Sequence, residues 1–549
     1  MNKEITKIIS KVILAERTVN IKLLGDSITH GKGATEMEKL YNNIILNDNF
    51  YEKPSDAETV PYLINPPDVI DVSVGRQLFV DNFLIEETDL VPEYHKAQKF
   101  EGNPVLYPEK SWECENSPLA CPKSGGVWYD EDEKIFKMWY EGGWMDNMCY
   151  ATSLDGINWT KPDLGIIKGT NIILPYEHKD YKEIIPFPDD VSYLRPDSTT
   201  VFIDYNAPKE EKYKLFLRNP GWEYPGIIGV SGDGIHFSKL AYTGIGGDRS
   251  TIFYNPFRKK WVHSVRSQYW NGEFERSRIY YECDNFSDAA NWDKNREHYW
   301  MKVDDKDLPH PAIGQKPHLY NVDCVGYESI MLGMFQILYG PDNNACAQAG
   351  VPKVTELMPM YSRDGFNFSR PSRESIINAT MQKGSWDRGY VQSVGGVTII
   401  NGDELWIYYI AFAGDESKKN ETETIDNGMY CNGATGIAKL RRDGFVSMNG
   451  DGTLTSRKLT FKNKKSMFVN IKGKVKVWVL DDRGVEIAAS NTFDGDSTKA
   501  EVIFDNFDIS TLGGRVFRLK FEVCGELYSF GFADENGEFG GARAAGVVK

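Results

Sequence analysis

The amino-acid sequence predicts an all-β protein, a five-bladed β-propeller over residues 72–450 followed by a C-terminal β-sandwich over residues 451–549. The first observation behind this prediction is a recurring phrase, in which an apolar strand is followed by Ser or Arg, Asp-Gly and an aromatic or apolar residue. The phrase occurs at 150–162 (YATSLDGINWTKP), 228–240, 359–371 and 438–450, with a degenerate copy at 279–292. Asp-Gly favours hairpin turns, and β-rich units with a loose period of roughly 50 to 80 residues are typical of a radial repeat.

The second observation is a change in the residue pattern after Gly450. The segments KVKVWVLDDRGVEIAAS, AEVIFDNFDIS and RVFRLKFEVCGELYSFGF alternate apolar and polar residues between short turns. About 100 residues of this pattern are typical of a β-sandwich. Residues 1–71, with a polar and Pro-containing stretch from Asn42 to Pro67, are interpreted as an N-terminal extension and linker.

Composition excludes several classes of partner. The formal net charge of −16 over 549 residues argues against a nucleic-acid partner. No run of 18 apolar residues occurs, and charged residues interrupt the first segment, so we expect no membrane partner, no signal peptide and a cytoplasmic location. The eight cysteines and eight histidines are scattered, so neither a metal site nor a cofactor is expected, and the oligomeric state is left open.

Near the start of the chain, the stretch KLLGDSITHGKGA (22–34) resembles the first block of SGNH hydrolases, with Ser27 in the place of their nucleophile. A nucleophilic serine also needs a base, an orienting acid and an oxyanion hole. The later blocks that supply these groups in that family have no counterpart in a suitable context here. We therefore interpret the stretch as a remnant, and an esterase is the weakest of the functions considered.

Carboxylates mark the entry to each predicted inner strand of the propeller. They are Glu113 or Glu115, Asp197, Asp248, Asp323 with Glu328, and Asp387. Like charges that converge on one channel are costly unless chemistry uses them. Glycoside hydrolysis uses such a set, because one carboxylic acid protonates the leaving oxygen while a second carboxylate activates water or attacks the sugar.

Roles follow from position in the chain. Asp197 and Asp248 are predicted as base, nucleophile or tuning carboxylate, and Asp323 is held in reserve. Glu328, in the apolar segment YESIMLGMF, is predicted as the general acid because a buried carboxyl suits that role. The predicted substrate-binding residues are Arg195, Arg249, His318, Asp387, Trp386 and Glu115.

Several longer stretches carry a family resemblance, among them GRQLFVDNFLIE, DRSTIFYNPFRKKWV, YNVDCVGYESIMLGMFQI and ATGIAKLRRDGFVSM. From about residue 72 to 530, the chain resembles uncharacterised bacterial relatives of glycoside hydrolase family 32. That resemblance implies a five-bladed propeller with a C-terminal sandwich, three carboxylates from the first strands of successive blades, and furanoside substrates. The family's W-M-N-D-P-N-G motif is absent, so the nucleophile stays unassigned, as does the choice between retention and inversion.

Three functions remain open at this stage. The leading one is a glycosidase that acts on small oligosaccharides, with furanosides as the expected class. The second is a glycoside phosphorylase resembling family 130, which needs one acid and a basic phosphate pocket; Arg195, Arg249, Arg266 and His318 are available for it. The third is a propeller that binds carbohydrate without turnover.

Overall fold

The computed structural model describes residues 38–46, 50–51, 60–115, 117–174, 198–218, 225–420 and 427–548. The chain divides into two compact units, one of Met1–Lys39 with Ile45–Asp48 and the other of Leu40–Ile44 with Asn49–Lys549. All elements named below belong to the second unit. Ser27 and its surrounding stretch lie outside the described residues. Among the described helices, none is long and apolar enough to cross a membrane.

The described α-helices are few and short. They are α1 (Pro61–Ile64), α2 (Ser111–Cys114) and α3 (Asn343–Ala349). Single 3₁₀ turns occur at Lys123–Gly125, Lys209–Glu211, Phe286–Asn291, Lys294–Arg296, Gly428–Tyr430 and Ile509–Leu512. Strands dominate the fold, as the sequence predicts.

Five short strands precede the first blade. They are β1 (Ile70–Asp71), β2 (Gln77–Leu78), β3 (Ile85–Thr88), β4 (Val91–Tyr94) and β5 (Gln98–Lys99). The first four pair with strands from the C-terminal part of the chain. The sequence places residues 72–94 in the propeller, but hydrogen bonding places them in the C-terminal sheet, because their partners there are distant in sequence.

The first three blades are antiparallel sheets whose strands follow one another along the chain. The first blade contains β6 (Ala120–Cys121), β7 (Val127–Asp130), β8 (Ile135–Gly142), β9 (Asn147–Ser153) and β10 (Ile172–Leu174). The second contains β11 (Thr200–Ile203), β12 (Tyr213–Leu217), β13 (Pro225–Ser231) and β14 (Ser238–Ile245). The third contains β15 (Thr251–Asn255), β16 (Lys260–Trp270), β17 (Glu273–Cys283) and β18 (His298–Lys302).

The sheets of the last two blades also include short strands from outside the run of blades, one before the first blade and two near the end of the chain. The fourth is built from β19 (His318–Glu328), β20 (Ile330–Gly340) and β21 (Val354–Ser362). The fifth is built from β22 (Gly389–Ser393), β23 (Ile399–Asn401), β24 (Glu404–Phe412) and β25 (Gly433–Arg441). The outer strand of the fifth blade is β5, which precedes the first blade and so fastens the two ends of the ring.

The blades form a closed ring, because each is hydrogen-bonded to the next and the fifth to the first. The five bonds are Trp128 Nε1 to Val201 O, Arg249 N to Ser198 Oγ, Thr251 Oγ1 to Val322 O, Thr355 Oγ1 to Val391 O, and Val127 N to Gly395 O. This confirms the predicted five-bladed propeller. The first strand of each blade lies next to the axis.

The recurring Ser-x-Asp-Gly phrase forms the same turn in the first, second and fourth blades. In the first blade, Asp155 Oδ1 accepts hydrogen bonds from Ser153 Oγ at 2.9 Å and from the backbone N–H of Ile157 at 2.9 Å. Asp233 and Asp364 repeat this arrangement in the other two. Asp side chains favour such turns because they hydrogen-bond the backbone two residues further on.

The C-terminal strands form one sheet that folds back on itself. They are β26 (Val446–Ser456), β27 (Leu459–Thr460), β28 (Ser466–Asp481), β29 (Glu486–Ala489), β30 (Phe493–Glu501) and β31 (Phe517–Ala533), with β32 (Ala542–Arg543) and β33 (Val547–Val548) joining propeller blades. The rings of Phe521 and Phe530, both in β31, are 5.5 Å apart. At about 3.3 Å per residue a straight strand would separate them by roughly 30 Å, so β31 bends and the sheet becomes two layers.

A row of glycines marks the bend. Gly525 of β31 lies opposite Gly450 on one side and Gly473 on the other, and Gly473 lies opposite Gly495. All four have positive φ, between +121° and +157°. These backbone angles favour glycine, and glycine kinks let a sheet curve.

His263, in β16, lies in an aromatic cluster between the second and third blades. It is 1% exposed, and its ring centroid lies 5.7 Å from that of Phe216 and 5.2 Å from that of Trp292. Neither ring nitrogen has a hydrogen-bond partner in the described part of the chain. Burial lowers the pKa of His263 to about 3.

This histidine is expected to make the protein sensitive to acid. Between about pH 6.5 and pH 3 the unfolded chain binds a proton that the folded chain rejects, so stability rises with pH in this window. As the pH falls from 6.5 to 5, up to about 2 kcal/mol of stability should be lost through this group. His263→Phe should flatten that part of the curve of unfolding free energy against pH.

The slope of that curve is the readout, since the substitution also alters packing at every pH. The partly exposed His310, whose ring lies 5.3 Å from that of Tyr339, serves as the matched control, and its replacement by phenylalanine should change the slope less than His263→Phe does. Parallel curves for the parent and His263→Phe would contradict the prediction.

Candidate functional site

The same unusual backbone conformation recurs where the innermost strands of four blades begin. Lys123, Ser198, Arg249 and Tyr390 have φ of 45°, 57°, 58° and 51°. Positive φ is costly for residues other than glycine, and such residues cluster at functional sites. The repetition at one end of the axis indicates the entry end of the channel as the candidate site.

Aromatic side chains form a wall at this end. The rings of Trp144 and Tyr430 stack at 4.0 Å, and Tyr390 lies 6.3 Å from Trp144. The Tyr320 ring lies 5.6 Å from that of Tyr390, and their hydroxyls are hydrogen-bonded to each other. Such faces suit the apolar faces of sugar rings.

Asp248 precedes β15 at the entry end, and 25% of its side chain is exposed. Arg266 forms an ion pair with it, and Arg218 Nη1 lies 3.6 Å from its Oδ1. The sequence prediction that Asp248 reaches the mouth of the channel agrees with this position.

Asp323 lies one blade further around the ring, in the neighbouring inner strand β19, and is 4% exposed. It accepts hydrogen bonds from Asn321 Nδ2 at 2.9 Å and from the Ser393 hydroxyl. The pKa of Arg278 is lowered to about 9 by burial and by the positive charges of Arg266 and Arg249. The carboxylates Asp323 and Asp248 act in the opposite direction. Both carboxylates therefore lie within electrostatic reach of one buried arginine.

Glu141 is a carboxylate at this end that sequence reasoning missed. It is at the end of β8, opposite Cys121, and its Oε2 lies 2.5 Å from Lys123 Nζ. The same ammonium lies 4.2 Å from the centroid of Trp144. The phrase YEGGW contains the signal, a glutamate before a Gly-Gly turn, but it belongs to the second part of the blade, and the sequence prediction takes its carboxylates from the entries to first strands.

Glu328 is not at the site, which corrects its predicted role as general acid. It is buried, as predicted, but it ends β19, at the far end of the strand from the channel entry. Its carboxylate lies 2.8 Å from Arg442 Nη2 and accepts a hydrogen bond from the Arg76 N–H at 3.1 Å. Two arginines that are distant in sequence compensate its burial, and we assign it a structural role.

Asp387 and Trp386 are likewise placed in the wall of the fifth blade. Asp387 Oδ2 lies 2.6 Å from Lys99 Nζ on the outermost strand, β5. Trp386 packs over Gly436 and lies 5.4 Å from the ring of Tyr409. Both side chains thus contact the outer strands of the fifth blade.

The other predicted residues have mixed positions. Glu113 is fully buried beneath the Tyr140 hydroxyl and Lys161, whereas Glu115 is exposed after α2. His318 begins β19 with Nδ1 3.8 Å from Glu275 Oε1, and burial lowers its pKa. Asp197 and Arg195 lie outside the described residues, so their predicted roles stay predictions.

Over the described ranges, no group of three His, Cys, Asp or Glu side chains is arranged to hold a metal ion. The site as described offers carboxylates, hydroxyls, aromatic faces and cations. These groups can transfer protons and make electrostatic contacts with a substrate.

No protein-family model matches the chain, and no curated protein matches its sequence. Solved structures with a similar fold include an N-acetylgalactosamine deacetylase from F. plautii in complex with blood group B trisaccharide, with 14% identity, 65% of this chain and 96% of that chain covered, and a TM-score of 0.41. A thermostable family-43 glycoside hydrolase has 12% identity, 60% and 95% coverage, and a TM-score of 0.39. The endo-arabinase from Bacteroides thetaiotaomicron VPI-5482 has 10% identity, 58% and 94% coverage, and a TM-score of 0.36.

These neighbours include glycoside hydrolases, but likenesses at this level extend neither to site residues nor to substrate. They lend no support to the resemblance to family 32 or to SGNH hydrolases, and both remain predictions.

Proposed function

We propose that this protein is a glycoside hydrolase whose site lies at the entry end of the propeller channel. One observation carries the proposal: Asp248 and Asp323 come from neighbouring inner strands, β15 and β19, that are joined by the bond from Thr251 Oγ1 to Val322 O at 3.0 Å. Two carboxyl groups beside an aromatic wall are the elements that glycoside hydrolysis requires.

The surroundings of the two carboxyls suit different roles. Asp248 is ion-paired with Arg266 and partly exposed, which suits a base or nucleophile that must be charged. Asp323 is buried, and an amide and a hydroxyl that donate to its Oδ2 hold it in a fixed orientation, as a group that transfers a proton within a closed site requires. We therefore assign Asp323 the role of general acid in place of Glu328.

The substrate class follows from the wall and from the sequence. Aromatic side chains are concentrated at the entry end, which suits the apolar faces of sugar rings, so small oligosaccharides are the proposed substrates. Furanosides are proposed because of the resemblance to family 32.

The test is release of reducing sugar from a panel of furanoside and pyranoside oligosaccharides. Asp248→Asn and Asp323→Asn should each lower turnover by at least about 100-fold, since each removes one partner of the acid–base pair. Their thermal unfolding should stay cooperative, because asparagine keeps the shape of the side chain.

Glu328→Gln is the matched control for a buried carboxyl. It should lower the unfolding temperature and leave the turnover of the folded fraction unchanged. Turnover that survives both aspartate changes would sink the assignment. Sugar binding without turnover on any substrate would place the protein among non-catalytic carbohydrate-binding propellers.

A further inference from the structure

The guanidinium of Arg249 is buried at the entry end and has no hydrogen-bond partner among the residues that the structure describes. The residue is 2% exposed, and none of its three side-chain nitrogens has a hydrogen-bond partner in the described part of the chain. Its backbone, by contrast, is fixed, since its N–H donates to Ser198 Oγ at 3.1 Å and its carbonyl accepts from Arg278 Nη1 at 2.7 Å. A guanidinium carries five N–H donors, and burying them unpaired is costly.

The charges around Arg249 do not neutralise it. Asp248, its neighbour in sequence, forms its ion pairs with Arg266 and Arg218 instead. Arg278, 0% exposed, adds another cation behind it. Burial together with Arg266 and Arg249 lowers the pKa of Arg278 to about 9, as expected where buried cations outnumber their counter-charges.

A second unpaired cation lies on the same aromatic wall. Lys353 is 3% exposed, and no described carboxylate forms an ion pair with it. Its Nζ lies 4.8 Å from the ring centroid of Tyr390 and 5.5 Å from that of Tyr320. Burial and Tyr320 raise the pKa of Tyr390, and the positive charge of Arg249 acts in the opposite direction. Lys353 thus lies against the Tyr390 ring, and Arg249 is within electrostatic range of the same side chain.

We propose that Arg249 and Lys353 form an oxyanion subsite at the entry end of the channel, which binds a carboxylate or phosphoryl group. The inference rests on the proposed function, because it names the chemistry of a ligand for that same site. A guanidinium fork matches two oxygens of one oxyanion, whereas a neutral sugar offers no group with that geometry and charge. The oxyanion has two sources, a sugar acid within the substrate or inorganic phosphate as co-substrate.

The test uses the full chain and two anionic probes, glucuronate and inorganic phosphate, with glucose as the neutral counterpart of glucuronate. Calorimetric titration should show that at least one anion binds more tightly than glucose. In Arg249→Met this binding should fall at least tenfold, and Arg249→Lys should restore part of it. Arg515→Met, at an exposed position of the sandwich, is the matched control and should bind as the parent does.

Thermal unfolding without ligand provides a readout that a structural role would not give. Removal of an unpartnered buried charge should leave the unfolding temperature of Arg249→Met equal to or above that of the parent. A lower unfolding temperature would assign Arg249 to the stability of the fold and overturn the proposal. Anion binding that is no tighter than glucose binding, or that is unchanged in Arg249→Met, would also overturn it.

The two anions separate the sources. Binding of glucuronate that competes with oligosaccharide assigns the subsite to an acidic sugar, and phosphate that raises turnover assigns it to phosphorolysis; both support the subsite. If neutral glycosides are hydrolysed while neither anion binds, the subsite fails and the hydrolase stands. If an anion binds through Arg249 while no glycoside is cleaved, the proposed hydrolase fails and the subsite stands.

Discussion

Replacing Asp443 by alanine is expected to lower the free energy of unfolding by about 3 to 5 kcal/mol, because it leaves a buried cation uncompensated. Asp443 is 0% exposed and accepts hydrogen bonds from Arg76 Nη1 at 3.0 Å, Ser529 Oγ at 2.6 Å and the Tyr327 hydroxyl. These donors belong to the segment before β2, the C-terminal sheet and the fourth blade. The carboxylate therefore ties the propeller to the sandwich.

The matched control is the aspartate at the same place in the repeat of the first blade. Asp155 is exposed and bonds only within its own turn, so Asp155→Ala should cost about 1 kcal/mol. Denaturant unfolding of the parent and both variants measures the difference. Equal losses at the two positions would mean that the buried network adds nothing to the turn.

The network also has a pH signature. Burial would raise the pKa of Asp443, but Arg76 and Arg442 outweigh burial and lower it. The stability that the carboxylate provides is therefore present above its unfolded pKa of about 3.9 and is lost as acid protonates it in the fold. The gap between the parent and Asp443→Ala should close as the pH falls below about 4.

The sequence predicted the blades well because their turns are local. In Ser153–Gly156 and its copies, the bonds that define the turn join residues two or three apart, so the phrase itself contains the structural cause. Because each turn lies near the end of a blade, the turns also indicate where the next first strand begins, and Asp248 precedes one of these strands. Fold class and repeat number thus depend on contacts that a short window of sequence displays.

The roles of the misassigned and missed residues depend on contacts between residues that are far apart in the sequence. The costly burial of Glu328 was read correctly, but Arg76 and Arg442, which compensate it, are far away in sequence. Glu141 lies in β8 and Lys353 directly precedes β21, and neither β8 nor β21 is the first strand of its blade. Asp248 and Asp387 both precede inner strands, but the ion-pair partner of Asp387, Lys99, lies before the first blade, so the sequence around Asp387 does not show it.

The boundary between the two domains was missed for a related reason. Strands β3 and β4 are short and polar, and their pairing with β26 spans the whole propeller in sequence. The glycines at the sheet bend are visible individually in the sequence. Their alignment across four strands needs the register, which sequence alone does not supply.

Gly525→Ala is expected to destabilise the protein by at least about 3 kcal/mol, because it combines backbone strain with a steric clash. Its φ is +137°, and a Cβ there would lie 2.3 Å from the Lys472 carbonyl oxygen of the paired strand. The carbonyl belongs to the backbone of β28 and can move only if the bend opens. Opening the bend would separate Phe521 from Phe530 and expose the core between the two layers.

Gly484 provides the matched control, since its φ is +87° and a Cβ there would meet nothing within 4 Å. Gly484→Ala should cost only the strain of positive φ, about 1 to 2 kcal/mol, and thermal unfolding of both variants would show the difference.

The bend also presents Asn470 and Ser529, a cross-strand pair, to Asp443 at 3.3 Å and 2.6 Å. The double variant Gly525→Ala/Asp443→Ala should therefore lose less stability than the sum of the single changes, because both loosen the same contact between sandwich and propeller. Additive losses would instead show that the contact of Asn470 and Ser529 with Asp443 persists when the bend is strained.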